Sequence, residues 1–239
     1  ALHLWDKLKH YIEKAFTIIL ASTIVIWFLS SFTFGYEFLP EIVNVDGEEI
    51  VIRPQNPEKW TRVCVNIIHH YNDGWAEGMQ LGLRDFEIWA KPDTMQDVNN
   101  AAVFGFYEKV AHGIKSYHPD LQVGGMGFAD YGVMAREFIK YCKKKQTPLD
   151  FVSICAYGQT PDAALSGANK LSAYLQKSDM AHLPVHISEW NCQAPESTVL
   201  TPAEKQARYE QVHSLAGAVF CASLMLKMQR IQGVESATY

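Results

Sequence analysis

The stretch LQVGGMGFADYGVMAREFIKYCKKKQTPLDFVSICAY, residues 121–157, decides the fold class of this chain. Its two ends, Leu121–Phe128 and Phe151–Tyr157, are short and mostly apolar runs, which is typical of buried strands. Between them, Val133–Lys145 has the apolar spacing of a helix and ends in three lysines that suit the negative end of a helix dipole. This order predicts a parallel strand–helix–strand unit.

The same alternation continues on both sides of this unit. Further strands are predicted at Arg84–Ala90, Pro184–Glu189 and Val234–Tyr239, with weaker candidates at Thr33–Leu39 and Glu49–Arg53. Further helices are predicted at Asn56–Tyr71, Ala101–Tyr117, Pro161–Lys177 and from Thr201 to about Ile231. Because no glycine-rich phosphate loop is present, an α/β barrel is favoured over a nucleotide-binding sheet. An eight-stranded barrel needs more strands, so the barrel is predicted to be incomplete or completed by another chain.

Composition excludes several classes of protein. The chain has 239 residues, a net charge of −5 and 48% hydrophobic residues, which excludes a disordered chain and disfavours a nucleic-acid partner. The nine histidines form no HExxH motif, so neither a metal ion nor another cofactor is predicted. The five cysteines are widely spaced and odd in number, which predicts no disulfide framework.

A hydrophobic run near the N-terminus separates the chain into two unlike parts. Residues 15–36 contain no Asp, Glu, Lys or Arg, and as a helix they would span about 33 Å, enough to cross a membrane. Lysines precede the run and acidic residues follow it, so the N-terminus is predicted to be cytoplasmic and the remainder extracytoplasmic. The predicted domains are an amphipathic lead-in plus transmembrane helix at 1–36 and a partial barrel at 37–239. A buried helix or strand pair in a globular core is the alternative.

Residues 1–31 also resemble one helix of the membrane domain of the ferrous-iron transporter B family. The resemblance lies in WDKLKHYIEKA at residues 5–15 and in the apolar segments that follow it. It carries no metal-ligand motif and therefore supports a membrane helix. A transporter-derived membrane protein, with the barrel as a scaffold, is accordingly an alternative function.

Candidate functional residues lie where predicted strands end, since the chemistry of (β/α) barrels lies at the C-terminal ends of their strands. Glu189 closes an apolar strand and is flanked by an aromatic residue and an amide. A glutamate there can act as a nucleophile or general base, or can cap the next helix. Aromatic neighbours of such a carboxylate commonly stack on sugar rings. The candidate strand ends are Trp89-Ala90-Lys91-Pro92-Asp93, Cys155-Ala156-Tyr157-Gly158 and Ser188-Glu189-Trp190-Asn191.

Together with their flanks, these strand ends resemble glycoside hydrolase family 39, the β-xylosidase and iduronidase type. The matching motifs are NPEKW (56–60), IIHHYNDGW (67–75), FEIWAKPD (86–93), DFVS (150–153) and ISEWN (187–191). The resemblance covers residues from about 32 to 239 and begins near the family's third barrel strand. It implies a (β/α)8 TIM-barrel fold without its first two strands, and hydrolysis of O-glycosides with retention of configuration.

The resemblance also implies roles for individual residues. Glu189 corresponds to the nucleophile, Lys91 stands at the acid/base glutamate, and Ala90 stands at the asparagine that contacts the sugar 2-hydroxyl. Trp89, Tyr157, Trp190 and Asn191 complete the implied substrate-binding set. The implied partner is a saccharide of the β-xyloside type.

The substitution at Lys91 removes the group that exchanges protons during the reaction. General acid–base catalysis contributes about 10²–10⁴-fold, so activity is predicted to be impaired. Glu87 shares a strand face with Lys91 but lies about 13 Å below it at roughly 3.3 Å per residue, and Asp93 follows Pro92. A non-catalytic saccharide-binding pseudoenzyme is therefore the other alternative function.

Overall fold

The computed structural model describes residues 42–45, 48–51, 56–95, 99–192 and 201–238. The chain divides into two compact units, Ala1–Asn56 and Pro57–Tyr239. In the first unit, strands β1 (Ile42–Val45) and β2 (Glu48–Val51) pair antiparallel. The strand predicted at Glu49–Arg53 is present as β2, with the bounds Glu48–Val51, and its described partner is the antiparallel strand β1. The predicted strand at Thr33–Leu39 and the apolar run at 15–36 lie outside the described residues.

The second unit is built on a parallel sheet of five strands. They are β3 (Asp85–Glu87), β4 (Gln122–Phe128), β5 (Phe151–Tyr157), β6 (Val185–Asn191) and β7 (Val234–Ala237). Each strand pairs with the next one along the chain, in the order β3-β4-β5-β6-β7. Consecutive parallel pairing is the connectivity of a (β/α) barrel wall, and this sheet forms a curled half-barrel. The predicted α/β fold class, with a partial TIM-type barrel, is confirmed.

Seven α-helices connect or flank these strands in the described part of the chain. They are α1 (Pro57–Asp73), α2 (Asn100–Tyr117), α3 (Val133–Lys145), α4 (Pro161–Ala164), α5 (Ser166–Gln176), α6 (Pro202–Val212) and α7 (Leu215–Met228). The single helix predicted from Thr201 to about Ile231 is wrong, because the segment forms two helices that are separated at Ser214. The Ser214 hydroxyl accepts a hydrogen bond from the Gly217 N–H at 3.2 Å and so begins a new helix. The helix predicted at Pro161–Lys177 is likewise divided at Leu165.

Among the described residues, no single helix has both the length and the apolar character needed to cross a membrane. Helices α6 and α7 together meet that criterion by length and composition, with a 58° bend between them.

The two faces of strand β5 show how the sheet separates core from site. Val152, Ile154 and Ala156 are fully buried within the main hydrophobic cluster, which also contains the α3 residue Phe138. The intervening residues, Phe151, Ser153, Cys155 and Tyr157, lie on the opposite, concave face. This period-two alternation directs a column of polar and aromatic side chains into the interior of the half-barrel.

Candidate active site

A β-bulge in strand β6 places Glu189 on the concave face of the sheet. Ile154 pairs with Ile187 and the next residue, Cys155, pairs with Glu189, so Ser188 is an extra residue in β6. Strict alternation from His186, whose ring stacks on Phe151 at 4.1 Å, would direct Glu189 towards the helices. The extra residue reverses the alternation, and Glu189 joins the inner face.

The same bulge sends Trp190 into the core. Trp190 pairs with Ala156, which belongs to the helix-facing side of β5. Its residue surface is 9% exposed, so the ring offers little area to a bound sugar. The role of Trp190 as a sugar-stacking residue stays a prediction, and the structure places it among core residues.

Glu189 is held by two side chains that meet at one of its oxygens. Lys91 Nζ lies 2.5 Å from Glu189 Oε2, and the Tyr157 hydroxyl donates a hydrogen bond to the same oxygen at 2.5 Å. Lys91 Nζ also lies 5.4 Å from the centre of the Tyr157 ring, within range of a cation–π contact. The structure thus brings together three residues that the sequence placed at three different strand ends.

The environment of Glu189 favours its ionised form. Desolvation raises the pKa of Glu189, but the hydrogen bonds from Lys91 and Tyr157 and the Lys91 charge outweigh it, so the net pKa lies below the usual value. A carboxylate that stays ionised and is held in one orientation through one of its oxygens has the arrangement that nucleophilic attack needs.

The backbone after β3 directs Lys91 towards Glu189. Trp89 and Lys91 have left-handed φ angles of 71° and 52°, so β3 ends at Glu87 and not at Ala90 as predicted. The Lys91 N–H donates to the carbonyls of Met126 and Gly127 at 3.1 Å each, which fixes this segment against the end of β4.

The remaining predicted site residues, Trp89, Ala90 and Asn191, make no described side-chain contact with Glu189. The Trp89 ring meets Phe106 of α2 edge to face at 5.3 Å and is partly buried against the core. Ala90 is exposed. The Asn191 carbonyl accepts a hydrogen bond from the Gly158 N–H at 3.3 Å, which joins the ends of β5 and β6.

Two further carboxylates lie near the pair, in different surroundings. Desolvation by the surrounding protein raises the pKa of Glu87, although the residue is partly open to solvent; the Ser153 and Ser188 hydroxyls and the Lys91 charge lower it, and the Glu189 charge raises it further. Asp93 accepts hydrogen bonds from the N–H groups of Ala129 and Asp130 at 2.9 and 3.1 Å, and these contacts direct it to the backbone. The charge of Glu87 therefore interacts with that of Glu189, whereas Asp93 stabilises the loop after β4 by accepting backbone hydrogen bonds.

Two residues contribute to this site in ways that the sequence did not reveal: Gly127, which was not singled out, and Ser188, which was placed at a strand end without a role of its own. Ser188 is the extra residue of the bulge. The Gly127 N–H donates a hydrogen bond to the Ser153 hydroxyl, and the Gly127 carbonyl accepts hydrogen bonds from the Cys155 thiol and the Lys91 N–H. The glycine-rich run GGMG at 124–127 is the signal that could have drawn attention to Gly127. In the described residues, no group of three or more His, Cys, Asp or Glu side chains could hold a metal ion.

Removing the Tyr157 hydroxyl should raise the pKa of Glu189. Tyr157→Phe removes one of the hydrogen bonds that stabilise the ionised carboxylate, at a cost of about 0.5–1.5 kcal/mol near neutral pH. Since the Glu189 pKa is lowered in the folded protein, this stabilisation is present at neutral pH and is lost as the pH falls through that pKa. Unfolding free energies measured from pH 7 to pH 3 should therefore converge for the variant and the wild type.

The matched control is Tyr209→Phe, at an exposed tyrosine whose ring stacks on His213. This control should show no such pH-dependent difference. A Tyr157→Phe deficit that persists unchanged at low pH would mean that the hydroxyl does not act through the Glu189 charge.

Gly127→Ala should destabilise the fold more than the same change at Gly82. Both glycines have left-handed φ angles, 54° and 63°, which cost a non-glycine residue about 1–2 kcal/mol. A Cβ at Gly127 would lie 2.8 Å from Glu87 Oε1 and 3.3 Å from Ser188 Oγ, whereas one at Gly82 would meet nothing within 4 Å. Urea unfolding of the two variants checks this. Equal losses in the free energy of unfolding would show that the close contacts of a Cβ at Gly127 do not destabilise the fold.

Comparison with known proteins assigns a family to most of the chain. The sequence model of the family described as Glycosyl hydrolases family 39 matches residues 48–227. A beta-xylosidase from Geobacillus stearothermophilus is 29% identical over 166 residues, which cover 59% of this chain and 32% of that protein. The chain thus spans about a third of the length of this relative.

Two solved structures share the fold of the described half-barrel. A glucosidase from Croceicoccus marinus matches with a TM-score of 0.61 and 23% identity. A monomeric beta-xylosidase from Caulobacter crescentus CB15 matches with a TM-score of 0.56 and 22% identity. Each alignment covers 77% of this chain and 38% of the other.

Proposed function

Because this chain belongs to glycosyl hydrolase family 39, we propose that it carries the nucleophile half of a retaining glycosidase site for saccharides of the β-xyloside type. The observation that carries this proposal is the placement of Glu189. The bulge at Ser188 turns its side chain into the half-barrel, where Lys91 and Tyr157 hold Oε2. Oε1 is then the oxygen that attacks the anomeric carbon of the sugar.

The second half of the proposed mechanism is impaired. A retaining glycosidase needs two carboxyl groups about 5–5.5 Å apart, one as nucleophile and one that first donates and then accepts a proton. In this chain the second group is Lys91, whose ammonium cannot accept a proton from water and is a weaker general acid than a carboxylic acid. Formation of the glycosyl-enzyme therefore depends on leaving groups that need no proton, and its hydrolysis is slow.

Rapid-mixing kinetics with 2,4-dinitrophenyl β-xyloside test this proposal. The expected result is a burst of dinitrophenolate close to one equivalent of enzyme, followed by slow turnover, because water must attack the intermediate without a general base. Methyl β-xyloside, whose leaving group needs a proton, should give no burst and only very slow turnover. Absence of a burst with the activated substrate would contradict the proposal.

A saccharide-binding protein without catalysis is the second candidate, and the ion pair between Lys91 and Glu189 favours it. The 2.5 Å contact occupies one oxygen of the proposed nucleophile before any sugar arrives. This candidate predicts that xylo-oligosaccharides bind, as measured by calorimetry, while the activated xyloside gives no burst.

We also propose that residues 15–36 anchor the chain in a membrane, with residues 37–239 on the extracytoplasmic side. The uncharged run, with lysines before it and acidic residues after it, supports this proposal. The resemblance of residues 1–31 to a ferrous-iron transporter helix stays a prediction, since the family match begins at residue 48. Recovery of the full chain in the supernatant after membranes are sedimented would contradict the anchor.

A further inference from the structure

We propose that Lys91 makes this site selective for sugars whose leaving group departs as an anion, namely glycosyl phosphates. The inference rests on the proposed role of Glu189 as nucleophile and names a substrate class for the same site. The Lys91 ammonium lies 2.5 Å from Glu189, and Lys91 stands at the sequence position that corresponds to the proton donor of a retaining glycosidase. The leaving group therefore meets a fixed positive charge and no carboxylic acid. A compact cation of this kind is a common partner of phosphate.

The chemistry of a phosphate leaving group fits what Lys91 can supply. Oε1 of Glu189 forms the bond to the anomeric carbon while the bond from that carbon to the phosphate oxygen breaks. The electron pair of the broken bond stays on the phosphate. Since the second pKa of a phosphate monoester is about 6, a monoanion that already carries a proton is available near that pH. It departs as the hydrogenphosphate dianion, and no proton from the protein is needed.

The ion pair between Lys91 and Glu189 can open towards such a ligand. The side chains of Lys91 and Glu189 are 24% and 39% exposed, so an anion from solvent can approach the ammonium. Tyr157 remains hydrogen-bonded to Oε2 when the ammonium turns to the phosphate, which keeps the carboxylate oriented. Glu87 is the nearby group that opposes this binding, because its own charge would repel the phosphate when ionised.

The second step then follows without a general base. Water attacks the anomeric carbon, the bond to Oε1 breaks with its electron pair returning to Glu189, and the proton of the water passes to the buffer. Inorganic phosphate attacking the same carbon would reform the glycosyl phosphate. The proposal therefore predicts that the glycosyl-enzyme accumulates and that added phosphate shortens its lifetime.

Substrate comparison in the full-length wild type and in Lys91→Met tests the inference. β-D-Xylose 1-phosphate should react with the wild type about 10²–10⁴-fold faster than methyl β-xyloside does, because its leaving group needs no acid. In Lys91→Met, the rate with xylose 1-phosphate should fall about 10- to 100-fold further than the rate with 2,4-dinitrophenyl β-xyloside. Lys144→Met, at an exposed lysine in α3, should leave the ratio of the two rates unchanged.

The outcomes separate this inference from the proposed function. If the dinitrophenyl substrate gives a burst but xylose 1-phosphate is no faster than methyl β-xyloside, the phosphate inference is overturned and the role of Glu189 stands. If both rates fall equally in Lys91→Met, Lys91 does not recognise the phosphate and the inference is overturned. If no substrate reacts, the proposed function fails together with it. Folding of Lys91→Met is checked by urea unfolding before the rates are compared.

Discussion

Replacing Lys91 with glutamate is expected to raise the hydrolysis of methyl β-xyloside by about 10²–10⁴-fold, the usual contribution of general acid–base catalysis. The Lys91 side chain reaches Glu189 across the end of the sheet, so a carboxyl group at position 91 faces the proposed nucleophile. A glutamate side chain is also one bond shorter, which opens space between the two groups. Repulsion between like charges raises the pKa of one carboxyl and keeps it protonated as the acid.

The measurement is kcat/KM for methyl β-xyloside, corrected for the folded fraction of each sample. Lys144→Glu is the matched control, because it makes the same charge change at an exposed position of α3. A gain in Lys91→Glu that is absent in Lys144→Glu supports the assignment of position 91. A folded Lys91→Glu protein with no gain would show that position 91 is not where the proton donor belongs.

Replacing Glu189 with glutamine is expected to abolish reaction with 2,4-dinitrophenyl β-xyloside, with a loss of at least about 10³-fold. Glutamine keeps the shape of the side chain and can still accept the hydrogen bond from Tyr157. Its neutral amide oxygen is a far weaker nucleophile than a carboxylate, so the burst should disappear while the fold persists.

Glu210→Gln is the control for this second variant. Glu210 lies on α6, is exposed and accepts a hydrogen bond from Gln206 at 2.8 Å, which an amide oxygen can also accept. The control should retain the full burst. Equal bursts in Glu189→Gln and wild type would assign the reaction to another group, of which Glu87 is the nearest candidate.

The regular elements of the second unit could be predicted because their patterns are local. The bounds predicted for the helix Val133–Lys145 and the strand Phe151–Tyr157 are confirmed. In each segment the apolar pattern continues without a break from one end to the other. The break before α7 could not be predicted from apolar periodicity, which continues across it. It depends on a single serine that caps the following helix.

The arrangement of the candidate site could be predicted only in part. Parallel strands bring their C-terminal ends together, which is enough to place Lys91, Tyr157 and Glu189 at one edge of the sheet. Alternation alone would have put Trp190 on the inner face and Glu189 in the core. The bulge at Ser188 reverses this, and it arises from the pairing of β5 with β6 and not from any local pattern in residues 185–191.

The most direct test of the account is to locate a covalent sugar on the protein. The full-length chain is mixed with 2,4-dinitrophenyl β-xyloside, quenched with acid during the burst, digested and analysed by peptide mass spectrometry. The account predicts one pentosyl ester, on the side chain of Glu189, and none in Glu189→Gln. An unmodified Glu189 peptide, or a pentosyl ester on Glu87, would contradict the account.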